Sequence, residues 1–99
     1  RFPSDALILR FLTMLPQDGS MALLARSMDA ADAKSAFRAV HTLKGVALNL
    51  GLTALAGVCA EMTEALRGSD TLPASAPALL DAVQREYDKV TGALAQLTA

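Results

Sequence analysis

Ala39-Val40-His41-Thr42-Leu43-Lys44-Gly45-Val46-Ala47-Leu48-Asn49-Leu50-Gly51 contains the only histidine of the 99-residue chain, placed in the middle of a periodic segment. At about 3.6 residues per turn, the two sides of a helix drawn through this stretch separate. Ala36, Val40, Leu43, Ala47 and Leu50 fall on one stripe, the side a core would take, while Phe37, His41, Lys44, Gly45 and Leu48 share a different face. The imidazole is therefore expected off the core, with an ammonium at i+3 and a side-chain-free glycine at i+4. A ring so placed is open to an arriving anion. Gly45 costs a helix interior roughly 1 kcal/mol relative to Ala, so it needs a reason, either access to His41 or close packing of a neighbour.

Working outward, Asp32 is the expected N-cap of this helix, which runs from about Ala33 to Asn49 and ends on Gly51 as a left-handed terminator. The short connection that follows predicts an antiparallel neighbour. Thr53 is the expected cap of that neighbour, whose stripe is Leu52, Leu55, Cys59, Met62 and Leu66 and which Gly68 ends. A polar loop leads to Ser75 and Pro77, a helix start signal, and from Pro77 to about Leu97 the stripe is Leu80, Val83, Tyr87, Val90, Leu94 and Leu97. On the N-terminal side, Ser20 is the expected cap of a shorter helix through Met28 that buries Met21, Leu24 and Met28. Before it, a helix from Ser4 to about Leu15, with Leu7, Ile8, Phe11, Leu12 and Leu15 on one side, is stopped by Pro16, and Pro16-Gln17-Asp18-Gly19 forms a turn. The expected fold is all-α, an antiparallel four-helix bundle with a short additional N-terminal helix, and residues 1–99 form one domain.

Composition agrees with that class and excludes several functions. Hydrophobic residues make up 53% of the chain and aromatics 4%, with no Trp, so the core is aliphatic and helix-favouring. The net charge is −1 and no run of Lys or Arg could track a phosphodiester backbone, so nucleic acid is not an expected partner. One Cys and one His are too few nitrogen and sulfur ligands for a zinc site, and Cys59, on a core stripe, is expected to be a buried small apolar residue. No apolar run reaches the roughly 18 residues of a membrane span, no signal sequence opens the chain, and a cytoplasmic protein is expected. The chain opens at Arg1 rather than Met, which suggests a piece of something longer. No carboxylate pair, base-activated nucleophile or phosphate-cradling loop marks an enzyme.

His41-Thr42-Leu43-Lys44-Gly45, with Asn49-Leu50-Gly51 closing the helix and Leu55, Cys59 and the Glu61 to Arg67 stretch beyond, resembles the signature of histidine-containing phosphotransfer (HPt) domains. Val46 departs from it, standing where many members carry Ser. The resemblance implies a phosphorelay intermediate of two-component signal transduction, in which His41 accepts a phosphoryl group from a receiver-domain aspartate and passes it to another receiver. It implies that Lys44 offers positive charge to the phosphoryl oxygens and that Gly45 keeps the approach open. It also implies that Phe37 and Leu48 are receiver-docking contacts, the alternative being that they pack under the N-terminal helix, and that the chain needs no cofactor of its own, Mg2+ being brought by the receiver. The partners implied are response-regulator receiver domains and, where the domain is embedded, a hybrid histidine kinase.

Three other classes share parts of this pattern. The dimerisation helix of a histidine kinase normally has an acidic residue after the active histidine, where this chain has Thr42, and it needs two chains for a bundle that one supplies here. A monomer is therefore expected. The phosphoacceptor domain of a chemotaxis-type kinase has the same H-x-L/I-K-G pattern and differs by its neighbouring domains. A helical interaction module without phosphotransfer would have the fold and take no phosphate.

Overall fold

The computed structural model describes residues 15 and 18–98. Within them there are four helices and no strand: α1 Ser20–Asp29, α2 Ala33–Asn49, α3 Thr53–Leu66 and α4 Ala76–Thr98. The chain is all-α. Each helix packs on the next in sequence, so that α2 is held between α1 and α3, and α3 between α2 and α4. α2 and α3 run antiparallel, since Lys34 and Phe37 near the start of α2 meet Asp70 and Arg67 beyond the end of α3. The N-terminal helix expected from Ser4 lies outside the described residues apart from Leu15, which is helical, 1% exposed and part of the core.

Helix boundaries follow from local chemistry. Asp32 caps α2 through its carboxylate, which accepts from the Ser35 backbone N–H at 3.1 Å and from the Ser35 hydroxyl at 2.8 Å. At the other end Gly51 takes φ +75°, the Leu52 N–H donates to the Ala47 carbonyl at 2.8 Å, and the Gly51 N–H donates to Leu48 at 3.1 Å. This is the Schellman closure that a left-handed glycine permits. α1 closes in the same way on a non-glycine: Ala31 has φ +55° and the Asp32 N–H reaches the Ser27 carbonyl at 2.8 Å. Ser75 sits at the N-cap position of α4, its carbonyl accepting from the Leu79 N–H.

Three expected boundaries are corrected. Ser20 is the first residue of α1 rather than its cap: Gly19, at φ +79°, holds the cap position, Ser20 is buried, and the Asp18 carboxylate accepts the Ser20 N–H at 3.1 Å. Asp18 is itself helical, so the expected turn over 16–19 comes down to Gly19 among its described residues, Pro16 and Gln17 lying outside them. Thr53 is likewise the first residue of α3, and Leu52 occupies the cap position without a side-chain hydrogen bond.

The core is aliphatic and continuous. Ala36, Val40, Leu43, Ala47 and Leu50 of the α2 stripe are all buried, joined by Ala33 and Ala39. Leu55, Cys59, Met62 and Leu66 meet them from α3, with Ala56 and Thr63. Buried Thr63 satisfies its hydroxyl by donating to the Cys59 carbonyl at 2.7 Å. From α1 come Met21 and Leu24, and from α4 Ala76 and Val83, with Leu80, Tyr87 and Val90 partly buried against the same cluster. Leu94 is also buried; the side chain of Leu97, last of that stripe, lies outside the described residues.

Candidate functional site

α2 reaches the surface with the face opposite its core stripe. His41 and Gly45 are exposed, Phe37 and Lys44 half-buried, and Leu48 is 60% exposed, the most exposed large hydrophobic among the described residues. Helical spacing alone places Phe37, His41, Lys44, Gly45 and Leu48 together, because i, i+3 and i+4 positions stack on one side of the cylinder. Outside its own helix backbone, a Cβ built on Gly45 meets no heavy atom of the described residues within 4 Å, so none of the described helices requires the glycine. Of the two reasons open for it, the space is on the solvent side, one turn from the histidine.

The His41 ring makes no hydrogen bond or ion pair with the described residues. Its one ring contact is Phe37, one turn earlier: the centroids are 5.9 Å apart and the planes differ by 3°, a stacked pair. Phe37 in turn packs on the core and carries the Arg67 guanidinium over its ring, 5.5 Å from the centroid. Arg67 is fixed by Glu64, to which Nε donates at 3.3 and 3.2 Å and a terminal nitrogen at 2.8 Å. These hydrogen bonds, with the charge of Arg67, hold the Glu64 carboxyl below the usual range, and the charge of Lys44 adds to this.

The charge on this face is one-sided. Between Ala33 and Asn49 the helix carries Lys34, Arg38 and Lys44 and no carboxylate. Two depressions flank His41 along α2. One is lined by Lys34, Phe37, Arg38 and Leu66 with the loop after α3, and the other by Lys44, Leu48, Thr53, Ala56, Gly57 and Ala60. Among the described residues, no group of three or more His, Cys, Asp or Glu side chains could hold a metal ion, and no helix is long and apolar enough to cross a membrane.

The exposed His41 thus sits on a cationic helix, one turn from a glycine with open space beside it. The family model of the Hpt domain matches residues 6–97. The chain belongs to the Hpt domain family. Neither a curated protein nor a solved structure was found to match it. Hpt domains serve histidine phosphotransfer in two-component signalling, as carriers that exchange phosphoryl groups with receiver domains.

Within this Hpt domain the five residues singled out by sequence lie on one surface, and the structure adds Glu64 from α3 and Arg67 just past its end. Their signal in the sequence was faint. They fall inside the Glu61 to Arg67 stretch that belongs to the family signature, but the contact of Arg67 with Phe37 depends on how α3 crosses α2, which periodicity does not give. Lys34 and Arg38 were legible as cations on the same helix and were not singled out.

Proposed function

We propose that His41 is the phosphorylated residue of this Hpt domain, accepting a phosphoryl group from a receiver-domain aspartate and delivering it to a second receiver. The observation that carries this reading is the exposed His41 ring, with no hydrogen-bond partner among the described residues, on a helix whose charged residues are all cations. In the step, the lone pair of one neutral ring nitrogen forms the N–P bond as the aspartyl O–P bond breaks, and the electron pair leaves on the receiver carboxylate. The proton on the other ring nitrogen takes no part. The transition state is loose, and catalysis rests on alignment and on neutralising the equatorial oxygens.

In this reading Lys44 faces those oxygens, Gly45 leaves the approach clear, and Leu48 with the outer edge of Phe37 makes the apolar receiver contact. Mg2+ belongs to the receiver, and the domain holds no cofactor. Residues 1–99 act as one domain built on an antiparallel four-helix bundle. It works as a monomer in the cytoplasm, with receivers rather than nucleic acid or membrane as partners; monomer status is supported by Leu23 and Leu48 being the exposed large hydrophobics among the described residues.

The test is to incubate wild type and His41→Gln with a phosphorylated receiver domain and follow the label. Wild type should take up label that is lost in acid and stable in base, and His41→Gln should take up none. Acid-stable label, or uptake by the variant, overturns the assignment. Label that arrives from a kinase ATP-binding domain but never from a receiver would make this the phosphoacceptor of a chemotaxis-type kinase instead.

A further inference from the structure

A nucleophile displayed on a surface has an alignment problem. The His41 side chain turns about two bonds, it makes no hydrogen bond with the described residues, and attack on phosphorus succeeds from a narrow range of approach. Among the described residues, the ring that lies parallel to the imidazole is that of Phe37, its centroid 5.9 Å away. Phe37 is not free to follow the imidazole, because it is half-buried against the core and has the Arg67 guanidinium over its ring. Arg67 is fixed by its hydrogen bonds to Glu64 on α3. The orientation of the ring on α2 is therefore inherited from α3.

We propose that Phe37 and Arg67 are positioning residues for phosphotransfer: Arg67, held by Glu64, braces the Phe37 ring, and Phe37 holds the His41 imidazole in the orientation from which its outward nitrogen meets phosphorus. This rests on His41 being the phosphorylated residue. Stacking with parallel planes leaves both ring nitrogens on the edges, away from the Phe37 face, so the restraint acts on orientation while leaving the lone pair free. It also assigns Phe37 a role apart from docking. A docking contact strengthens binding of the receiver; a positioning contact raises the rate once the receiver is bound.

Single-turnover transfer from a phosphorylated receiver, measured over a range of receiver concentrations, separates the two, with the ring-proton shifts of His41 followed by NMR on the same proteins. Phe37→Leu keeps an apolar side chain and removes the π face; its saturated transfer rate should fall by roughly three- to tenfold, a loss that adding more receiver does not recover, whatever the trimmed receiver contact does to the half-saturating concentration. Phe37→Tyr, which keeps the ring, should restore the rate. Arg67→Met should lower the saturated rate by a smaller factor, and the double variant should be no slower than Phe37→Leu, since both act through one path. The His41 ring-proton shifts should move in Phe37→Leu and Arg67→Met and stay in place in Phe37→Tyr. Arg67 is exposed, so Arg67→Met carries the test even if Phe37→Leu melts too low to assay.

A raised half-saturating concentration with an unchanged saturated rate overturns the proposal and leaves Phe37 as a docking contact. An Arg67→Met variant with wild-type rate and shifts overturns the part of Arg67. A wild type that takes no label from any receiver removes the functional reading beneath the proposal. That outcome is distinct from failure of the proposal alone, in which wild type transfers and Phe37→Leu transfers equally fast at saturation.

Discussion

Gly45 is the residue at which stability and chemistry pull in opposite directions. A glycine in a helix interior costs about 0.5–1 kcal/mol relative to Ala through the backbone freedom it must give up, and here none of the described helices demands the missing side chain. Gly45→Ala is expected to raise stability by that amount, and Gly45→Gln to leave the fold intact. Both place atoms one turn from His41, so transfer should slow, and more with Gln than with Ala. Thermal melts beside transfer rates check this; a Gln variant that transfers as fast as wild type would show that the open space is not used by the receiver. The residue scale was also the most legible in the sequence, because face separation needs only helical periodicity. Phe37 shows where that stops: the spacing put it beside His41, but its bracing by Arg67 required the crossing of two helices.

α2 was legible as an element because several local signals agreed on it: an Asp at the cap, a clean two-faced stripe and a glycine past the end. Ser20 and Thr53 misled for a physical reason. Each carries a hydroxyl that can cap, yet the chain places each inside the first turn, where Gly19 supplies the left-handed entry to α1 and Leu52 packs at the entry to α3. At Asp32 the cap is made, and it sets a pH dependence for the element. The Ser35 backbone N–H, and then the Ser35 hydroxyl, hold the Asp32 carboxyl below its ordinary value. Because the folded state binds this proton more weakly than the unfolded chain, the stabilisation is fully present above about pH 4 and is lost as pH falls through the lower folded value. Asp32→Ala should therefore melt below wild type at pH 7, with the gap closing toward pH 3. Asp32→Asn, a good cap without a charge, should keep most of the stability and lose this pH dependence. A gap that persists unchanged to pH 3 would show that the carboxylate is not what holds the start of α2.

Across the whole molecule, α3 is the helix packed on both α2 and α4, and Cys59 lies at its middle with no exposed surface. Cys59 was legible as core from its place on the stripe; that its helix is central was not, since a stripe says which side is buried and nothing of how many neighbours bury it. Burial pushes the Cys59 thiol up to about 12, against a smaller opposing pull from the charge of Lys44. Two consequences follow. The unfolded chain releases this proton near pH 8.5, whereas the fold retains it, so stability should decline as pH rises from about 8.5 toward 12. The thiolate is also the reactive form, so alkylation at pH 8 requires that Cys59 reach water, and with helices packed on two sides of α3 the route is opening of the whole fold. Modification of the native protein should be slower than that of the denatured chain by a factor on the order of 10³ or more, and denaturant should accelerate it in parallel with loss of the helical circular dichroism signal. Labelling within minutes in native buffer, with the helical signal intact, would mean that α3 opens alone. The brace from Arg67 to His41 would then be anchored to a moving element.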